Sequence, residues 1–98
     1  MMENIFLPPM RIIMLQGIEK SPGRELSNEL IQRLLKAHSL NFSIADVNEQ
    51  INWLENRGYV KANRLCDSGF INVHITRPGI DVALGNTRAA GIDPPPEV

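Results

Sequence analysis

Ala45, Asn48, Glu49 and Asn52 follow one another at spacings of three, one and three residues, which gathers them on one side of any helix they share. Their chemistry matches the edges of base pairs. An asparagine amide pairs with adenine, a glutamate accepts from the cytosine amino group, and an alanine methyl touches that of thymine. The same row serves equally as a solvated polar face, and the nearby charges oppose nucleic acid. Residues 43–57 hold Asp46, Glu49 and Glu55 against Arg57 alone, whereas duplex affinity comes largely from neutralised phosphates. Compensating cations are Lys61 and Arg64 downstream and Arg24, Arg33 and Lys36 upstream, if they are more than scattered solubilising charge.

Catalytic chemistry has no foothold. The sequence contains no glycine-rich phosphate loop, no nucleophile beside a base and no clustered metal ligands, so no enzyme activity, metal or other cofactor is expected. His38 and His74 stand apart without ligand spacing and read as surface residues. Cys66 is the one cysteine, which excludes an internal disulfide and leaves an inert thiol as the expectation.

The elements that must position these residues have clear local signals. Ser43 followed by Asp46 forms a capping pair, Ile44, Val47, Ile51 and Leu54 recur at helical spacing, and Gly58 supplies a stop. Tyr59 to Cys66 and Phe70 to Thr76 then read as strands of a hairpin, turning at Asp67-Ser68-Gly69, with Ile71, Val73 and Ile75 on one face. Upstream, Met10 to Glu19 suits a first helix behind Pro8-Pro9, and Leu26, Leu30, Ile31, Leu34 and Leu35 a second, capped by Ser27. Thr76 caps a last helix, Arg77 to Leu84, stopped by Gly85. The expected fold is α+β, mainly α: a winged helix-turn-helix of three helices, a two-stranded wing and a short C-terminal helix. Trp53 lies off the apolar stripe and is expected to pack over the wing base against Tyr59, with a partner contact as the other reading.

The run Val47 to Val60, with its Leu54-Glu55-Asn56-Arg57-Gly58-Tyr59-Val60 join, resembles the recognition helix and first wing strand of MarR and ArsR regulators. Ile75-Thr76-Arg77-Pro78-Gly79 is similar to the opening of the helix that follows their wing. The third helix lacks the clustered cysteines of ArsR sensors, so the resemblance does not imply metal sensing. The chain as a whole, including Val82 to Arg88 and the proline-rich end, resembles a family of small proteins encoded by Mu-like phages and prophages. That resemblance implies a phage origin and a winged helix, with no activity attached.

With 98 residues, 43% of them hydrophobic, the chain suffices for one small core. The expected division is a winged-helix domain over 1–85 and an extended proline-rich arm over 86–98. The apolar run Ile5-Phe6-Leu7 is cut by prolines and lacks a basic lead, so neither a signal peptide nor a membrane span is expected, and the cytoplasm is the expected compartment. Both termini carry apolar residues outside the core pattern. A homodimer ordering residues 1–7 and 86–98 is therefore expected, with Ile5, Phe6, Leu7, Ile92, Pro95 and Trp53 at the interface. Function then has two readings. One is a sequence-specific transcriptional regulator binding double-stranded DNA, and the other a winged-helix adaptor docking a phage protein in assembly or packaging, without DNA.

Overall fold

A computed structural model describes residues 4–65 and 68–96 of the chain. Helix α1 (Leu7–Lys20) leads through a 3-10 turn (Pro22–Arg24) to strand β1 (Glu25–Ser27), then helices α2 (Asn28–Ala37) and α3 (Ile44–Asn56). Strands β2 (Val60–Arg64) and β3 (Ile71–Ile75) form a hairpin, and α4 (Arg77–Ala83) follows. The result is a mainly helical α+β fold with a three-stranded antiparallel sheet in the order β1-β3-β2.

α1 is the centre of the molecule. Met10, Met14, Leu15 and Ile18 are fully buried because α1 packs against α4, α2 and β3. It begins at Leu7, three residues before the expected Met10. Pro8 and Pro9 sit in its first turn, where backbone N–H groups have no helical acceptor to lose. Leu7 therefore packs on the core, whereas Ile5 and Phe6 stay exposed.

α3 is fixed at both ends by local chemistry. The Asp46 N–H donates to Ser43 Oγ at 3.1 Å, and the Ser43 N–H donates to the Asp46 carboxylate at 3.4 Å, a reciprocal capping box. Gly58 ends the helix at φ +83, a conformation that side chains resist. The inward stripe is Val47, Gln50, Ile51 and Leu54. Ile44 was expected to join it but is 37% exposed; as the first helical residue, it precedes the turn that meets the core.

The hairpin register pairs Val60 with Ile75, Ala62 with Val73 and Arg64 with Ile71. Alternation puts these pairs on the core side and Lys61 and Asn63 on the other. The strands end sooner than expected, at Arg64 and Ile71, and Cys66 and Asp67 lie outside the described residues. β1 has no counterpart in the sequence expectations. Its three residues are too few to show alternation, and pairing with β3, Leu26 to Val73, makes it a strand.

Thr76 locks the hairpin to α4. Its Oγ1 donates to the Gly58 carbonyl at 2.6 Å and accepts from the Gly79 N–H at 3.2 Å. Any side chain at Gly79 would collide with the Tyr59 carbonyl, so α4 approaches the hairpin base as closely as backbone allows.

Residues 86–96 do not reach away as an arm. Ile92 is 7% exposed and belongs to the core, the Asp93 N–H donates to the Pro8 carbonyl at 3.2 Å, and Pro95 packs beside Gly85. Contacts within one chain thus hold a segment expected to need a second copy. Deleting residues 86–98 should lower unfolding stability by about 2–4 kcal/mol, from lost Ile92 burial and backbone hydrogen bonds. In urea unfolding that loss should not vary with protein concentration; a concentration-dependent loss would put the segment on a partner copy.

Candidate nucleic-acid interface

The outward face of α3 presents Ala45, Glu49, Asn52 and Asn56 to solvent. Asn48, expected beside them as a base reader, is turned to a structural task. Its Oδ1 accepts a 2.9 Å hydrogen bond from Nδ2 of Asn28, the fully buried first residue of α2. The same Nδ2 donates to the Gly69 carbonyl at 3.0 Å, while Asn28 Oδ1 accepts from the N–H groups of Ile71 and Glu29 at 3.2 and 3.1 Å. One side chain therefore joins α2, α3 and the hairpin loop, with both its amide atoms satisfied. Asn52 is engaged too: its Oδ1 accepts from Arg64.

Arg64 reaches α3 because the register sets it on the core side of the hairpin, beyond Ala62. There it pairs with Glu55 at 3.0 Å. Partial burial disfavours the Glu55 carboxylate, but hydrogen bonds from Arg64 and the Ala62 N–H more than offset this and hold its pKa below the usual value. Lys61 lies on the opposite hairpin face, level with Glu25 and His74 across the sheet. The two wing cations grouped from sequence thus do not share a surface. Arg24 stands 4.0 Å from Glu19 at an exposed site. Arg33 and Lys36 do come together, on the rim of an open groove lined also by Gln32, Leu40, Asn41 and Phe42.

Trp53, expected over the hairpin base, meets two cations. Its ring is sandwiched between two guanidiniums, Arg11 at 3.7 Å and Arg57 at 4.1 Å from the centroid. Arg11 is 8% exposed. It donates from Nε to Gln50 Oε1 at 2.9 Å and from Nη1 to the Gly91 carbonyl at 2.8 Å, so it ties α1 to α3 and to the C-terminal segment. Burial, and then the charge of Arg57, lowers the Arg11 pKa, but a guanidinium stays cationic at any physiological pH. The ring faces and two neutral acceptors solvate that charge.

Sequence reasoning passed over Asn28, Arg11 and Gln50, yet spacing marks them. Asn28 stands three and seven residues before Ile31 and Leu35, Arg11 three and four before Met14 and Leu15, and Gln50 three after Val47 and four before Leu54. A polar residue on an apolar stripe is buried, and a buried polar group needs named partners.

Asn28→Asp keeps the shape but turns an oxygen toward Asn48 Oδ1 and the Gly69 carbonyl. It should cost about 2 kcal/mol or more in urea unfolding at neutral pH, whereas Arg64→Ala should cost under about 1 kcal/mol, since its ion pair is partly exposed. Equal costs would mean that Asn28 is not the buried junction.

Among the described residues, no group of three or more His, Cys, Asp or Glu residues is placed to hold a metal ion, and no helix is long and apolar enough to cross a membrane. No protein-family model matches the chain, and no solved structure matches it significantly. The chain is 32% identical over 95 residues to a protein of Escherichia phage Mu, the uncharacterized protein gp26, and the alignment covers 97% of this chain and 96% of that one. Alignment over nearly the whole of both chains at this identity makes the chain a member of the family of the phage Mu protein gp26.

Proposed function

We propose that the chain is a winged helix of phage or prophage origin that works by docking another protein, and that α3 does not read DNA. The fold reading is supported by the order of three helices, hairpin and helix, with β1 completing a three-stranded sheet. Kinship with a phage Mu protein supports the origin. One observation carries the functional reading: α3 exposes carboxylates and no cation, and the two amides expected to read bases, Asn48 and Asn52, already hold partners within the chain. Asn48 holds buried Asn28, Asn52 holds Arg64, and Glu55 neutralises that arginine. A helix in the major groove needs the reverse, free amides and a positive surround. An adaptor needs neither. Exposed Ile5 and Phe6 add apolar surface for a partner or a second copy.

DNA binding remains the second reading, favoured by Arg33, Lys36 and Lys61, which are exposed and have no ion-pair partner among the described residues. Fluorescence anisotropy with labelled duplexes separates the two. Affinity for duplexes from the chain's own locus should match that for random duplexes within about threefold at each salt concentration. A preference of about 10³ or more for an own-locus duplex, the range of specific binders, would overturn the docking reading.

A further inference from the structure

We infer that the groove between α2 and the turn into α3 is the docking site for an acidic segment of another protein that carries an apolar anchor. The inference rests on the docking reading and names the chemistry of its partner. The groove has a volume of about 460 Å³, with Arg33 and Lys36 on its rim and Leu40 and Phe42 as its apolar floor. A second hollow of about 190 Å³, lined in part by exposed Phe6, shares Leu40, Asn41 and Phe42 with it, so the apolar strip continues past the α2 end.

The floor is built rather than loose. Leu40 and Phe42 pack on the core from beneath, and Gln32 Nε2 donates to the Phe42 carbonyl at 2.9 Å, tying the turn to α2. A preformed apolar floor lowers the ordering cost of binding. Neither Arg33 nor Lys36 has a carboxylate within ion-pair distance among the described residues, so the rim offers two unneutralised charges one helical turn apart.

The polarity across Phe42 selects the occupant. On its α3 side the adjoining hollow is lined by Asp46 and Glu49. An acidic segment lying along the α2 side meets Arg33 and Lys36 and avoids those carboxylates. A duplex is wide enough to bring phosphates to both sides, and it leaves the apolar floor unused.

The test uses the full-length ¹⁵N-labelled chain and, as probe, a capped peptide with a leucine-phenylalanine pair flanked by aspartates. Backbone amide shifts should concentrate at Arg33, Lys36, Leu40, Asn41 and Phe42. The same peptide with lysines for aspartates should bind at least about tenfold more weakly, as should the Arg33→Glu, Lys36→Glu double variant toward the aspartate peptide. Both positions are exposed, and an unchanged circular dichroism spectrum confirms that the variant folds. Equal affinity in either comparison overturns the proposal. Shifts confined to the α3 and hairpin face also remove the groove but leave protein docking standing. Displacement of the peptide by a lower concentration of random duplex would assign these cations to phosphate and sink both.

Discussion

The buried amide of Asn28 is the constraint on which the rest of this small fold depends. It sits where the start of α2, the middle of α3 and the hairpin loop converge, and it makes four hydrogen bonds among them. A hydrophobic side chain there would strand the Gly69 carbonyl, the Ile71 N–H and the Asn48 amide, each a cost comparable to a sizeable part of a small domain's stability. The alignment of β1 on β3 agrees with this junction. With Asn28 bound to Ile71 and its neighbour Ser27 paired to Asn72, β1 can lie beside β3 in one alignment. Within the hairpin, the β2–β3 register sets Arg64 on the α3 side and Lys61 on the other.

Function is narrowed by the same junction. A recognition helix works when its outward amides are idle until bases arrive, because a group already bonded in the fold has to break that bond first. Here Asn48 is committed to a buried partner, which makes its release expensive. Asn52 is committed to an exposed arginine, which makes its release cheap. The charges exposed on α3 are the carboxylates of Asp46 and Glu49. Arg33 and Lys36, which have no ion-pair partner among the described residues, lie instead on α2, next to an apolar floor.

What the sequence disclosed was local chemistry. Ser43, Thr76 and Gly58 announce helix ends through contacts made within a few residues, and Ile71, Val73 and Ile75 announce a strand face by alternation. What it hid was long-range pairing. β1 is a strand only because β3 lies beside it, and residues 86–98 read as an extended arm for a second copy, whereas Ile92 meets the core and Gly91 meets Arg11 within one chain. Trp53 was read against its sequence neighbour Tyr59, but its partners are Arg57 and an arginine from α1. Asn52 faces solvent on α3, while Asn48 is half-buried toward α2. Their engagement was invisible because their partners are 20 and 12 residues away.

The central claim is that Asn48 is bound to Asn28 and so belongs to the fold rather than to a ligand. A double-mutant cycle on Asn28→Ala and Asn48→Ala, read by urea unfolding of each variant, tests it most directly. The account predicts a coupling of about 1 kcal/mol or more between the two positions, because each substitution removes one side of the same partly buried hydrogen bond. Strict additivity, with Asn48→Ala costing almost nothing on its own, would contradict it and return Asn48 to the set of free groups on the face of α3.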